Sequence, residues 1–200
     1  MKTLFLAAFV SCICIAVHAQ DIKLPTPSKT GGKPLMEALS QRKSIKEFTG
    51  KELDKQTLSN LLWAAYGFNR ADKRTVPSSQ NRQEIDVYVM FKTGIYLYDA
   101  KTNILKLHAK GDFVEALGQP NISTTAALTL IYVVNQDKAS GREAGFIDTG
   151  FIAQNVYLYA ASANLGTVAR ASFNKKTLPE AMKLNSKQEI TLVQAVGIPK

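Results

Sequence analysis

The chain has 200 residues, with 25 Lys and Arg against 16 Asp and Glu and a pI near 9.5. That length fits one domain with a sizeable core, domain size peaking at about 100–150 residues, and no repeat or second composition block marks another. The positive charge is spread thinly, with no basic run interleaved with aromatics, which sets nucleic acid aside and suits a phosphate-bearing small molecule.

Lys2, the apolar run of residues 4–17 and the small-x-small site Val17-His18-Ala19 read as a secretory signal peptide over residues 1–19. The run is too short to span a bilayer comfortably, and nothing later approaches the roughly 20 apolar residues a membrane helix needs. An exported protein, periplasmic or secreted and without stable membrane insertion, is expected. Cleavage would leave 24 basic and 16 acidic residues and would remove both cysteines, Cys12 and Cys14. A mature chain without thiols excludes a disulfide framework, a thiolate metal site and cysteine catalysis. Lipidation at Cys12 is disfavoured by the short apolar run before it and by the lack of Leu where a lipobox wants one.

Residues 20–34, rich in Pro, Gly and Lys, read as an extended, partly mobile leader, and residues 35–200 as the domain. Pro34 opens a short amphipathic helix carrying Leu35, Met36 and Leu39. Asp54 caps a second, whose apolar positions Leu58, Leu61, Leu62 and Ala65 recur at helical spacing up to Gly67. Past the polar stretch 69–84, residues 86–91, 94–98 and 103–108 alternate apolar and polar between turn sequences and predict three strands. A short helix at 112–117 follows. Residues 127–134 form a continuous apolar, β-branched run, the mark of a fully buried strand. Residues 146–163 make the longest helix, apolar on most of its circumference, with Gly166 read as its C-terminal stop. Thr177 and Glu180 have capping-box spacing for one more helix, and 190–196 is the last strand. These elements predict an α+β sandwich, with a central mixed, mostly antiparallel sheet flanked by helices. A helix apolar on nearly all sides needs partners on all sides, which a second subunit or a flanking sheet would supply.

Arg42-Lys43-Ser44-Ile45-Lys46 sets three basic residues around one hydroxyl at a helix end, an arrangement that suits a phosphate but equally a solvated basic turn. Pro77-Ser78-Ser79-Gln80-Asn81-Arg82-Gln83 packs uncharged hydrogen-bonding side chains behind a proline, immediately before a strand. Such a loop suits the directional polar contacts of a flat ring such as a flavin, and an ordinary Ser-rich loop looks the same. His108 is the only histidine outside the signal segment. It has no nearby carboxylate or second histidine, so neither a metal site nor a Ser-His-Asp arrangement can be assembled. Tyr157 and Tyr159 on the long helix read as packing.

Arg42-Lys43-Ser44-Ile45-Lys46-Glu47-Phe48 resembles the Arg-Arg-Ser-x-Arg-x-Phe opening of nitroreductase-family flavoproteins, and Leu62-Trp63-Ala64-Ala65-Tyr66-Gly67 is similar to the helix end that follows it. Residues 77–83 fall where that family has its polar loop. Gly94-Ile95-Tyr96-Leu97-Tyr98-Asp99, the stretch 150–158, Leu165-Gly166-Thr167-Val168 and Val196-Gly197-Ile198-Pro199 are similar to the SagB-type branch. The resemblance covers residues 35–200 in order.

The resemblance implies an entwined homodimer with FMN at each of two interface sites. It implies reduction of a small electrophile, nitroaromatic or quinone-like, by hydride from reduced FMN. Carried over by position, Arg42, Lys43, Ser44 and Lys46 would hold the phosphate and ribityl chain, while Pro77, Ser78, Ser79 and Asn81 would reach the ring from the partner subunit. The turn from Gly166 to Ser172 would lie against the flavin, with the backbone N–H of Ala171 or Ser172 near N5, where a donor tunes hydride transfer without a titrating side chain. Azoline-oxidising members resemble one another in a Lys-Tyr pair ahead of the long helix, and Ala139-Ser140-Gly141-Arg142-Glu143 in that neighbourhood argues against their activity. Many relatives continue past the Gly-x-Pro with a phosphate-binding Arg, and Lys200 stands in that place. Cytoplasmic relatives take hydride from NAD(P)H, which is scarce outside the cytoplasmic membrane, so export implies another donor, such as a membrane quinol or a partner reductase. A non-catalytic flavin- or ligand-binding protein on the same scaffold and a SagB-like dehydrogenase of a peptide or small organic substrate stay open as alternatives.

Overall fold

The computed structural model describes residues 20–200, and the expected signal segment 1–19 lies outside the described residues. In chain order these residues form β1 (Ile22–Lys23), α1 (Leu35–Gln41), α2 (Lys55–Tyr66), β2 (Ile85–Phe91), β3 (Gly94–Asp99), β4 (Ile104–Lys110), α3 (Val114–Leu117), α4 (Pro120–Ser123), β5 (Leu128–Asn135), α5 (Arg142–Ser162), β6 (Gly166–Arg170), α6 (Thr177–Ala181) and β7 (Gln188–Gly197). The strands make one sheet in the order β1-β4-β3-β2-β5-β7-β6. The sheet, expected to be mixed and mostly antiparallel, is antiparallel at every pairing. The reason is that β7 returns between β5 and β6, which run the same way and would otherwise pair in parallel.

On β5, Leu128, Leu130, Tyr132 and Val134 join one core with α2 and α5, while Ile131 and Val133 join the other with α3 and α6. Side chains alternate across a strand, so a strand covered on both faces must be apolar nearly throughout. Each large side chain sunk in these cores contributes roughly 1.5–3 kcal/mol. Helix α2 begins at Asp54, whose Oδ1 accepts from the amides of Gln56 and Thr57 at 2.9 Å each, and it buries Leu58, Leu61, Leu62 and Ala65.

Helix α5 starts at Arg142, ahead of its apolar run, and buries Gly145, Thr149, Ile152, Ala153, Val156 and Ala160 on one stripe. Distance requires the glycine: a Cβ at Gly145 would stand 2.5 Å from Cγ2 of Val134 on β5, so the helix lies closer to the sheet than a larger residue allows. Buried polar bonds fix the helix rotation. Gln194 Nε2 donates to Ala153 O at 3.2 Å, the Tyr132 hydroxyl donates to Gln194 Oε1 at 2.6 Å, and the Thr149 and Thr191 hydroxyls pair at 2.9 Å. On the outward side, Phe146, Ile147 and Phe151 remain exposed, as do Leu35, Met36 and Leu39 of α1, which packs on α5.

Residues 20–34 are joined to the domain at several points. β1 pairs with β4, Leu24 is buried, and the Lys33 amide donates to the Ser162 hydroxyl at 2.8 Å. Gly166 does not stop α5. Asn164, at φ +55°, takes the left-handed position after the helix, and Gly166 instead opens the edge strand β6, which the sequence did not predict. Nor does Thr177 cap α6: Asn174 Oδ1 accepts from the amides of Lys176 and Thr177 at 3.2 and 2.9 Å.

Candidate functional site

β6 is an outer strand of the sheet, paired with β7 on one side. Along its other side runs the 42–48 stretch. Ile45 N donates to Thr167 O at 2.9 Å, and Phe48 forms an antiparallel bridge with Pro199. Phe48 is fully buried with Ile122, Ala126, Val168 and Ala195, and Ile45 packs against them. Anchoring those two side chains inward leaves Lys43, Ser44 and Lys46 exposed.

The resulting cleft has a volume of about 600 Å³, and its walls include Lys33, Lys43, Lys46, Lys200, Ser44 and Tyr157, with Glu47 as the one acidic residue. Lys33 Nζ is held by Gln41 Oε1, Ala161 O and Asn164 Oδ1 at 2.6, 3.1 and 2.7 Å. The Lys200 amide donates to Glu47 O at 3.3 Å. Arg42 lies beside the cleft, its guanidinium 5.4 Å from the centroid of the Tyr157 ring. Tyr157, read from the sequence as packing, joins the parts: its hydroxyl pairs with Ser44 Oγ at 2.9 Å and accepts from Ala169 N at 3.0 Å. Sequence reasoning also missed Lys33, which lies in the leader. The only available signal for Tyr157 was its place in the 150–158 motif.

Thr167 O and Ala169 N both face the outer edge of β6, where they meet Ile45 N and the Tyr157 hydroxyl, and Ala171 follows directly after the strand. Ala171 and Ser172 are exposed just past the strand, where Gln119 Nε2 donates to the Ser172 hydroxyl at 2.6 Å.

Pro77, Ser78, Ser79 and Asn81 lie elsewhere, beside the start of α5. Ser79 N donates to Asp148 Oδ2 at 2.9 Å, and Ser140 Oγ donates to Ser79 Oγ at 2.7 Å. Gln83 donates from its amide to Ser78 Oγ at 3.0 Å and from Nε2 to Asn81 Oδ1 at 3.1 Å. These bonds hold Gln80, Asn81 and Gln83 at φ of 52°, 56° and 51°, positive values on either side of a right-handed Arg82 that non-glycine residues adopt only when their surroundings impose them. Asp148 and Tyr157, where the two sets touch α5, are about 13 Å apart along the helix at 1.5 Å per residue. Within one chain, the two sets do not share a pocket.

Behind the polar loop, Glu84 is fully buried and neither carboxyl oxygen has a hydrogen-bond partner. Burial, and then the nearby Asp148 carboxyl, push its pKa up to about 7. Arg74 braces the loop from the other side. It is stacked between Tyr66 and Phe68, 4.1 and 4.0 Å from their ring centroids, and donates to Gln83 Oε1 and Tyr66 O at 2.9 Å each. His108 Nε2 lies 2.7 Å from Met182 O. Among the described residues, no group of three or more His, Cys, Asp and Glu is placed to hold a metal, and no helix is long and apolar enough to cross a membrane.

The site is thus one edge of the sheet of an α+β protein, with a cationic cleft toward one end of β6 and an exposed turn at the other. The model of the nitroreductase family matches residues 39–198. A crystallised Ralstonia eutropha protein described as a nitroreductase is similar at a TM-score of 0.82 and 36% identity, over 91% of this chain and 90% of that one. A Methanocaldococcus jannaschii protein named as a nitroreductase is 28% identical over 82% of this chain and 90% of its own length. A Desulfovibrio desulfuricans nitroreductase in complex with FMN shares the fold at a TM-score of 0.64 and 17% identity, over 84% of this chain and 88% of that one. The chain belongs to the nitroreductase family and is an oxidoreductase of that type.

Proposed function

We propose that this chain is a flavoprotein that holds FMN in a homodimer and reduces a small electrophile, nitroaromatic or quinone-like. One observation carries the reading: a cleft walled by four lysines lies at the Gly166 end of β6, with Leu165 in its wall, and the strand leads from it to the exposed turn at Ala171 and Ser172. The residues fit the cofactor. Lys33, Lys43, Lys46 and Lys200 supply cations for a phosphate, and Ser44, paired with Tyr157, stands where a sugar-like chain would pass. FMN in the related Desulfovibrio desulfuricans structure supports the same choice.

Bound FMN supplies hydride transfer. The chain's own residues would grip the phosphate and offer the Ala171 or Ser172 amide to the charge that develops on the ring. The polar loop of 77–81 lies too far along α5 to serve the cleft of its own chain, which supports its delivery by a second copy. The exposed Phe146, Ile147 and Phe151 on α5 supply an apolar surface for that copy. Export rests on the sequence of residues 1–19. An exported enzyme would meet little NAD(P)H, so its donor is another reductant.

Purification of the full chain followed by FMN titration tests the reading. A yellow protein that is bleached by dithionite, reoxidised by a nitroaromatic or quinone and reduced only slowly by NADH is the expected result. A yellow but inert protein would instead be a flavin-binding module. A colourless protein that ignores added FMN overturns the reading.

A further inference from the structure

Arg170 ends β6, immediately before the turn at Ala171 and Ser172. Its side chain is 6% exposed, Nε and Nη1 have no hydrogen-bond partner, and Nη2 reaches only the Ser123 hydroxyl, at 3.3 Å. Among the described residues it forms no ion pair. Strand alternation places Arg170 on the face of Val168, which packs with Phe48, Ile122, Ala126 and Ala195. An apolar side chain would complete that cluster. Burial alone lowers the Arg170 pKa, with no acidic neighbour acting against it. A buried guanidinium without a counter-charge is costly, and a fold that keeps one marks a place where negative charge arrives.

Position decides which negative charge. The cationic cleft lies at the other end of β6, with Leu165 in its wall. From Gly166 to Arg170 the strand advances about 13 Å at roughly 3.3 Å per residue, away from the phosphate grip and toward the amides of Ala171 and Ser172. We infer that Arg170 stabilises the negative charge carried by the reduced ring of the bound flavin and thereby raises its reduction potential. The inference rests on the FMN reading above.

Hydride transfer to the oxidised ring brings two electrons and one proton. It leaves one negative charge on the ring and a donor oxidised by two electrons. The oxidised ring is neutral, so a fixed buried cation favours the reduced form selectively. In a poorly polarisable interior its field reaches across several ångströms without contact. Because the charge is fixed before electrons arrive, no reorganisation is needed when they do.

The test uses Arg170→Met and Arg170→Lys in the FMN-loaded protein, with the affinities for oxidised and reduced FMN measured separately and the midpoint potential measured by dye equilibration. Arg170→Met is expected to bind oxidised FMN within about twofold of the parent and reduced FMN about tenfold more weakly, which is about 30 mV for a two-electron couple. Arg170→Lys keeps most of the parent's potential. Without FMN, Arg170→Met melts no lower than the parent, because it removes an unpaired buried charge and leaves an apolar chain of similar length. Equal weakening of both redox forms, or an unchanged potential, overturns the inference. A lower apoprotein melting temperature with the potential unmoved assigns Arg170 to the fold. If the parent binds no FMN at all, the functional reading fails and takes this inference with it, an outcome that the same titration separates from the others.

Discussion

Glu84 lies beneath the polar loop with both carboxyl oxygens unpartnered, and burial together with the Asp148 carboxyl raises its pKa from the usual 4.5 to about 7. A carboxyl that holds its proton more tightly in the folded than in the unfolded chain stabilises while protonated. Its contribution is whole below the unfolded value and is lost as pH rises through the folded one. Stability is therefore expected to fall between pH 4.5 and 7. One pKa unit is worth about 1.4 kcal/mol, so the fall across the window amounts to about 3 kcal/mol at most. Melting temperatures across a buffer series check this, and Glu84→Gln should flatten most of the slope. Asp86, also raised by burial, keeps a smaller slope of the same sign, whereas Asp54 and Asp99, both lowered by their hydrogen bonds, titrate below the window. An unchanged slope in Glu84→Gln would place the titration elsewhere. Gly166 is constrained by space. A Cβ there would lie 2.9 Å from Ile45 Cγ2 and 3.1 Å from both Ile45 Cβ and Phe48 Cε1. Gly166→Ala is expected to cost about 1–3 kcal/mol by overpacking. It should also push the 42–48 stretch off β6, so FMN affinity should drop along with the melting temperature. A variant with parental values on both counts would show that the stretch yields freely.

Helix α2 shows what local sequence encodes well. Asp54 caps it through two amides and the Thr57 hydroxyl, and its apolar positions repeat at helical spacing. Asp54→Ala is expected to cost about 1 kcal/mol in chemical denaturation at pH 7, and the loss should shrink in acid as the carboxyl protonates. A difference that persists in strong acid would mean the cap acts through something other than its charge. Strands β2 to β5 are legible for the same reason, since alternation or continuous apolarity is written in consecutive residues. β6 is not. Its five residues carry a glycine and an arginine, and its pairing with β7 spans the whole of α6, so the signal for a strand lies in its partner. The site divides along the same line. Arg42, Lys43, Ser44 and Lys46 announce themselves as a local cluster of charge and hydroxyl. Tyr157 and Arg170 meet Ser44 and Ser123, residues far away in the chain that packing alone brings near.

At the scale of the whole molecule, a single chain leaves two things unfinished. Phe146, Ile147 and Phe151 on α5 and Leu35, Met36 and Leu39 on α1 stay between 38% and 75% exposed, and the polar loop stands about 13 Å along α5 from the cleft it is expected to serve. The proposed twofold assembly would bury the outward stripe of α5 and would supply the loop from a second copy. FMN that binds only the dimer must also favour dimerisation, so its apparent affinity should weaken as the protein is diluted. Ile147→Asp tests this without touching the cleft, since Ile147 is 59% exposed and lies outside the buried cores. The parent should sediment as a dimer and Ile147→Asp as a monomer, with the circular dichroism of the two alike. FMN affinity of the monomer should fall by tenfold or more, about 1.4 kcal/mol at the least, although Lys43, Ser44, Lys46 and Lys200 are all in place. A monomer that binds FMN as tightly as the parent would mean that one chain completes the site, and the loop of 77–81 would then have no part in it.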